Sequence, residues 1–224
     1  MKKLIRGIVE FRQTLRPEYA EKFARLALGQ SPDTLFIACS DSRVVPNLFA
    51  STDPGDLFVI RNMGNLISPC GADGVSRGDV SEAAAIEFAA QTLGITSIVV
   101  CGHSECGAMK ELIGGVPHPE MPMLQTWLLN GYPSVARMEN EGWIDSALAP
   151  HNRLSQANVL QQMEHLKTYP AVRKLMAEEK LTLHGWWFDI GCAEVFAFEE
   201  GQGFVRIDEA EAARILRRLD DTHG

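Results

Sequence analysis

The sequence has no excess of positive charge and no long apolar run. Lysine and arginine total 21 against 29 aspartates and glutamates, which gives a formal net charge of -8. A chain with this balance has no electrostatic reason to bind nucleic acid or an anionic membrane surface. No stretch approaches the roughly 20 apolar residues that a membrane-spanning helix requires. We therefore expect neither a nucleic-acid partner nor a membrane span.

Cysteine is also scarce, and its count is odd. Five cysteines in 224 residues do not suggest a disulfide framework. The basic start of the chain is interrupted at Arg6 and Glu10, so it lacks the apolar core of a signal peptide. It is better explained as an amphipathic helix with Leu4, Ile8 and Phe11 on one face. We expect a cytoplasmic protein.

Three segments have the composition of buried strands. "TLFIACS", "DLFVIRN" and "SIVVCGH" are apolar without alternation, which is typical of a parallel sheet covered on both faces. Between the second and third lies "SEAAAIEFAAQTLG", a helical pattern with Ser81 as its expected cap and Gly94 as its expected end. The order strand, helix, strand predicts a right-handed crossover.

The end of the chain favours a hairpin and a helix. "LTLHGWWFDI" and "EVFAFEEGQGFVRID" predict a hairpin that turns near "EEGQG", and "EAEAARILRRLD" predicts an amphipathic helix. We therefore predict an α/β fold with a central, mostly parallel β-sheet flanked by helices. Residues 1–224 would form a single domain, with residues 1–30 as an N-terminal helical arm and a hairpin and helix at the C-terminus.

Two short motifs end the first and third predicted strands. "CSDSR" places Cys39, Asp41 and Arg43 two residues apart, so an extended segment would present all three on one side. "GHSECG" places His103 and Cys106 three apart, the spacing of neighbours at a helix start. Parallel strands bring both motifs to the carboxyl edge of the sheet. Two thiolates and one imidazole suit Zn²⁺ and leave a fourth position open, as in catalytic zinc sites.

Spacing alone leaves simpler explanations open. A lone cysteine at a strand end is usually a core residue. An aspartate two residues from an arginine is often an ordinary surface ion pair of little energetic value.

The two motifs together resemble the paired signature of the β-class carbonic anhydrases. The similarity continues through "GDLFVIRNMGN", "AAAIEFA", "NVLQQMEHL" and "LHGWWFDI", and it covers about residues 4–207 in the order and spacing of that family. The resemblance implies that Cys39, His103 and Cys106 bind zinc and that Asp41 and Arg43 form a catalytic dyad. It also implies an obligate homodimer, often assembled further, with active sites at the subunit interface.

The implied reaction is the reversible hydration of carbon dioxide to bicarbonate and a proton through zinc-bound hydroxide. Two thiolates neutralise the dication, so this zinc acidifies water less than one held by three histidines. Asp41 can accept the hydrogen bond of the hydroxide and aim it at the substrate. Arg43 can grip Asp41 with two donors and keep it ionised.

The resemblance also implies a closed state in which Asp41 is the fourth zinc ligand. Some relatives reach it by binding a regulatory anion through a tryptophan, an arginine and a tyrosine. Phe36 and Phe188 stand at the tryptophan and tyrosine positions, and only Arg61 is retained. We therefore expect an open, constitutively competent site.

Substrate contacts are implied by the same resemblance. It places Phe58, Met63 and Phe88 along an apolar wall for carbon dioxide, and the Gly107 amide near the substrate oxygen. A narrow apolar pocket suits a small apolar molecule. For the two phenylalanines, core packing is an equally good explanation.

Several alternatives stay open. The same site could hydrolyse carbon disulfide or carbonyl sulfide, or the chain could be a non-catalytic zinc scaffold subunit. A carboxysome with its components is an alternative setting to the cytoplasm. The remaining cysteines and histidines are expected to be structural or solvated: Cys70, Cys101, Cys192, His118, His151, His165 and His184.

Overall fold

The computed structural model describes residues 1–115, 119–142 and 144–222. His118 lies outside these ranges. The helices are α1 (Lys2–Gln13), α2 (Leu15–Leu26), α3 (Pro46–Phe49), α4 (Val80–Phe88), α5 (Gly107–Gly114), α6 (Pro122–Leu128), α7 (Tyr132–Asn140), α8 (Pro150–Leu166), α9 (Pro170–Ala177) and α10 (Glu209–Thr222). The strands are β1 (Thr34–Cys39), β2 (Leu57–Asn62), β3 (Ser97–His103), β4 (Thr182–Asp189), β5 (Glu194–Glu199) and β6 (Gly203–Arg206).

The strands form one sheet in the order β2-β1-β3-β4-β5-β6. Strands β2, β1, β3 and β4 are parallel, whereas β5 and β6 are antiparallel to their neighbours. The predicted fold class is confirmed. The two segments of the predicted hairpin do pair, because "LTLHGWWFDI" forms β4, which is antiparallel to β5, but the predicted turn between them was wrong. The turn at "EEGQG" instead joins β5 to β6, where Gly201 takes the left-handed φ of 79°.

Helix α4 begins two residues earlier than a cap at Ser81 would place it. The Asp79 side chain, not that of Ser81, caps the helix by accepting hydrogen bonds from the backbone amides of Ser81 and Glu82. The chain then widens into a π-turn over Ala89–Leu93. As predicted, Gly94 ends it, with a left-handed φ of 67°.

Successive side chains of β1 point to opposite faces of the sheet, and this decides on which face Cys39 lies. Leu35 and Ile37 pack on the sheet face covered by α8, and Cys39 continues this series. Phe36 and Ala38 pack on the opposite face. Cys39 therefore emerges between the sheet, α5 and α8.

Helix α8 crosses this face at very short range. A Cβ atom on Gly102 would lie 2.8 Å from Val159 Cγ2 and 3.0 Å from Ser155 Oγ. Only glycine allows the helix to approach the end of β3 this closely. The approach lets polar side chains of α8 reach the loops beyond the sheet.

The N-terminal arm makes no core contacts of its own. Helices α1 and α2 contain no buried residue, and Leu4 and Ile8 are 64% and 57% exposed. Helix α2 is held by Asp53, which accepts hydrogen bonds from Tyr19 Oη at 3.0 Å and Lys22 Nζ at 2.7 Å. None of the helices in the described ranges combines the length and apolar character needed to cross a bilayer.

Glu82 is a buried carboxyl group in the first turn of α4. Burial raises its pKa from the ordinary 4.5 to about 8, although hydrogen bonds from the Ser68 amide and the Asn62 side chain oppose the shift. Between these two values the folded chain holds a proton that the unfolded chain has lost. Its free energy of unfolding should therefore fall as pH rises, by up to about 1.4 kcal/mol per pH unit.

Replacing Glu82 with glutamine should remove this pH dependence. Urea unfolding at pH 6 and 8 gives the change in unfolding free energy with pH for each protein. The contribution of Glu82 is the difference between this change in wild type and in Glu82→Gln. Glu87→Gln is the matched control, because Glu87 lies on the same helix but is exposed. Equal slopes in wild type and Glu82→Gln would contradict a raised pKa.

Candidate active site

The three predicted ligands meet at the carboxyl end of two adjacent parallel strands. Cys39 ends β1, His103 ends β3, and Cys106 is the residue before the first turn of α5. Their sulfur and nitrogen donor atoms lie within 4.8 Å of one another, and all three residues are buried. The spacing argument for His103 and Cys106 needs correction, because the two flank a strand-to-helix turn instead of sharing a helix.

The orientation of His103 fits a metal ligand. Its Nδ1 lies 2.8 Å from the Ser104 carbonyl oxygen, to which the Nδ1–H donates. Its Nε2 is buried and has no hydrogen-bond partner among the described residues. A buried polar atom without a partner is costly. A metal ion between Nε2 and the two sulfurs would satisfy it, which is the usual second-shell arrangement for a zinc-binding imidazole.

The sulfurs of Cys39 and Cys106 influence each other's pKa. A hydrogen bond with the Cys106 thiol lowers the pKa of Cys39, and the same bond together with burial raises the pKa of Cys106. Both residues would coordinate zinc as thiolates, so metal binding would release the Cys106 thiol proton. The Gly64 amide also donates to Cys39 Sγ at 3.4 Å.

The conformation of the turn that contains Gly64 is fixed by hydrogen bonds and close packing. Gly64 has a left-handed φ of 78°. Asn158 of α8 donates to the Gly64 carbonyl at 3.0 Å, and Trp127 donates to the Met63 carbonyl at 2.7 Å. A Cβ atom on Gly64 would lie 2.8 Å from that of Ala108 in α5.

Replacing Gly64 with alanine should weaken zinc binding. The new methyl group would push the turn away from α5 and lengthen the contact between the amide and Cys39 Sγ. We expect zinc affinity to fall about 10- to 100-fold, the range for second-shell changes, as measured by competition with a chromophoric chelator. Gly94→Ala is the control, because Gly94 also has positive φ but has free space around it. Equal zinc affinity in the two variants would contradict a role for this turn.

Asp41 and Arg43 pair through a turn, which corrects the prediction of an extended segment. Strand β1 ends at Cys39, and the Val44 amide donates to the Asp41 carbonyl at 3.1 Å. Arg43 Nε donates to Asp41 Oδ1 at 2.9 Å and Nη2 donates to Oδ2 at 2.7 Å. The hydrogen bonds from Arg43 hold the pKa of Asp41 well below its usual range.

Arg61 supports the same segment from β2. Its Nε and Nη2 donate to the Cys39 carbonyl at 3.0 and 2.6 Å, and Nη2 also donates to the Asp41 carbonyl at 2.7 Å. Arg61 thus fixes the backbone on both sides of Ser40.

The opposite sheet face is filled with aromatic rings around Phe36 and Phe188. Phe36 and Phe188 are 1% and 8% exposed. Phe49 stacks on Phe188 with ring centroids 4.7 Å apart and lies 6.1 Å from Phe36. These rings offer no hydrogen-bond donor to an anion.

The four predicted substrate contacts are divided between two places. Gly107 opens α5 next to Cys106, and Met63, 44% exposed, precedes Gly64. Phe58 and Phe88 pack together with ring centroids 6.1 Å apart. Because Phe58 pairs with Leu35 and Asn62 with Cys39, Phe58 lies about 13 Å along the strand from the donors. The substrate roles stay predictions.

Other cysteines and histidines lie apart from the three donors or have separate partners. Cys101 is buried on the opposite sheet face, and burial raises its pKa. His165 Nδ1 contacts the Ile67 carbonyl at 2.7 Å, and His184 Nε2 contacts Thr182 Oγ1 at 2.9 Å. His151 bonds Glu105 in the loop between the two zinc-ligand candidates, a partner that the sequence did not indicate.

Comparison with known proteins agrees with this geometry. The family model described as carbonic anhydrase matches residues 34–195. The chain belongs to the β-carbonic anhydrase family. A carbonic anhydrase of Synechocystis is 40% identical over 210 residues, which cover 89% of this chain and 71% of that protein.

Solved β-carbonic anhydrases share the fold. The structure of the β-carbonic anhydrase CcaA superposes with a TM-score of 0.84 at 38% identity, covering 92% of this chain and 99% of that one. A β-carbonic anhydrase from the filamentous ascomycete Sordaria macrospora, described as tetrameric, has a TM-score of 0.75 at 31% identity, with coverages of 88% and 95%. Zinc is accordingly the cofactor of this β-carbonic anhydrase, and the three-donor cluster fits it.

Sequence reasoning missed the polar side chains of α8. Ser155 Oγ donates to the His103 carbonyl at 2.8 Å and accepts from the His103 amide at 3.2 Å. Asn152 and Asn158 bind Glu105 and Gly64, and all three polar residues are buried. Their three-residue spacing puts them on one helix face. A buried polar stripe at this spacing was the available signal.

Proposed function

We propose that this chain hydrates carbon dioxide at the carboxyl end of β1 and β3, with zinc held by Cys39, His103 and Cys106. The observation that carries this assignment is the unpartnered Nε2 of His103 facing two buried sulfurs. Beside it lies a carboxylate that Arg43 holds with two side-chain hydrogen bonds. A structural zinc site would need a fourth protein ligand that closes the coordination shell. It would not need a carboxylate paired with an arginine.

When bound, zinc supplies a Lewis acid that makes a coordinated water acidic enough to give hydroxide near neutral pH. The remaining work falls to the chain. Asp41 lies two residues beyond Cys39, in the turn that follows β1. Its carboxylate, ionised at all working pH values, accepts the hydrogen bond of the attacking oxygen and turns a lone pair toward carbon dioxide. Arg43 keeps that carboxylate fixed and out of the coordination sphere.

The open form, with Asp41 paired to Arg43, is the competent one. Support for it as the resting state comes from the aromatic packing around Phe36 and Phe188. An anion there would have to displace stacked rings from a dry core, which is costly. We therefore propose that bicarbonate does not switch this enzyme off through that position.

The assembly is a homo-oligomer, with two copies as its smallest unit. The apolar face of α1, including Leu4 and Ile8, is exposed among the described residues, and a second copy would cover it. Replacing both residues with glutamine should lower the mass measured by light scattering, whereas wild type should exceed one chain. An unchanged mass in the variant would show that α1 is not part of the subunit interface. Cytoplasmic or carboxysomal location stays a prediction, as does the single domain.

The decisive experiment is stopped-flow carbon dioxide hydration across pH on protein of measured zinc content. We expect activity proportional to bound zinc, rising with pH and without a cooperative loss at high bicarbonate. Zinc-loaded protein without hydration at alkaline pH would favour a scaffold. Sulfide release from carbon disulfide or carbonyl sulfide, without hydration, would favour the other zinc hydrolases.

A further inference from the structure

Arg43 has a second partner besides Asp41. Its Nη2 donates to Asp41 Oδ2 at 2.7 Å and to the backbone carbonyl of Glu105 at 3.2 Å. The two Nη2 protons are thus directed at two different loops. The side chain of Arg43 is 47% exposed, so packing does little to fix it. Without the Glu105 carbonyl, the guanidinium would be free to pivot together with Asp41.

The Glu105 carbonyl points at Arg43 because of an unusual backbone conformation. Glu105 has a φ of 58°, a left-handed value that residues other than glycine adopt only when their surroundings impose it. It lies between His103 and Cys106, so its conformation also sets the turn that separates them.

Helix α8 supplies the contacts that impose this conformation. The Glu105 amide donates to Asn152 Oδ1 at 2.8 Å, and Glu105 Oε1 lies 3.3 Å from Asn152 Nδ2. His151 Nε2 of α8 lies 2.9 Å from the same carboxylate oxygen, whereas Oε2 accepts from Lys110 Nζ of α5 at 2.5 Å. Asn152 is 9% exposed. Its amide group therefore grips both the backbone and the side chain of Glu105.

We propose that Glu105, locked by Asn152 and His151 of α8, is a positioning residue that holds Arg43 against Asp41. The inference rests on the proposed function, because it assumes that the Asp41–Arg43 pair serves the reaction. Helix α8 thereby reaches the dyad through one carbonyl group, although none of its residues bonds Asp41 or Arg43 in the described ranges.

The experiment distinguishes the effect of the Glu105 backbone conformation from the effect of the Glu105 side-chain charge. In Asn152→Ala the Glu105 amide loses its acceptor, so we expect kcat to fall about tenfold, as expected for a displaced catalytic group, with KM and zinc content unchanged. Adding Glu105→Gly to the same chain should restore kcat to within about threefold of wild type, because glycine adopts positive φ without anchors. A purely structural role would show no such rescue. Lys167→Ala is the control, because Lys167 pairs with Glu164 at the exposed end of α8, and we expect its kcat to stay within about twofold, since an exposed ion pair contributes little.

Two outcomes would overturn the inference: wild-type kcat in Asn152→Ala, or a double variant no faster than the single one. Crystal structures of wild type and Asn152→Ala add a readout besides activity, and an unchanged contact between Arg43 Nη2 and the Glu105 carbonyl would also overturn it. If Asn152→Ala does not fold, His151→Ala removes one anchor and should lower kcat about twofold to fivefold, and wild-type kcat there would contradict the proposal. Failure of the proposed function is distinguishable, because wild type itself would then be inactive.

Discussion

Replacing Cys39 with serine is expected to remove zinc and carbon dioxide hydration together. Serine cannot supply a soft thiolate, and two remaining donors do not hold zinc against dilution. Without the metal there is no acidified water, so kcat/KM should fall on the order of a thousandfold or more. Metal analysis after gel filtration and stopped-flow hydration measure the two effects on the same sample. The remaining donors, His103 and Cys106, stay in place at the end of β3 and just before α5.

The control for this loss is another cysteine that the site does not use. Cys192 is exposed after β4, so Cys192→Ser should keep full zinc and full activity. Far-UV circular dichroism would show whether Cys39→Ser retains its fold, and His103→Gln tests the same ligand set from another strand. Zinc-loaded, active Cys39→Ser protein would refute the proposed ligand set.

The sheet and the ligand cluster were predictable because their signals are local. Apolar runs without alternation identified β1, β2 and β3, and parallel strands deliver their ends to a common edge. Cys39 and His103 meet there because β1 and β3 are neighbours. Asn62 pairs with Cys39 at the same edge, because β2 is the other neighbour of β1.

The dyad and its supports depend on turns and long-range contacts that spacing does not encode. Asp41 and Arg43 were predicted to pair on an extended segment, whereas a turn after Cys39 brings their side chains into hydrogen-bond contact. The positive φ of Glu105 has no sequence signal, since the anchor lies 47 residues away in Asn152. Tertiary contacts override local preference at such positions.

Replacing Asp41 with asparagine is expected to slow hydration strongly while zinc stays bound. The amide keeps the size of the carboxylate but presents one oxygen and one NH₂ group to Arg43, so Nε and Nη2 cannot both find an acceptor. The NH₂ group also cannot accept the hydrogen bond that orients the attacking oxygen. We expect kcat to fall about a hundredfold or more, the range for a lost acid–base group, at unchanged zinc content.

The chain contains a matched pair for comparison. Asp73 and Arg77 form a two-point ion pair of the same composition on an exposed loop, and Asp73→Asn should leave hydration unchanged because an exposed pair contributes little. A hundredfold loss in Asp41→Asn beside normal activity in Asp73→Asn would isolate the position, not the ion pair as such, as the cause. Equal rates in Asp41→Asn and wild type at full zinc occupancy would show that the attacking oxygen needs no acceptor. Arg43 would then only hold the Asp41 carboxylate in place. The segment around Cys39 and the segment with His103 and Cys106 would have only zinc binding in common.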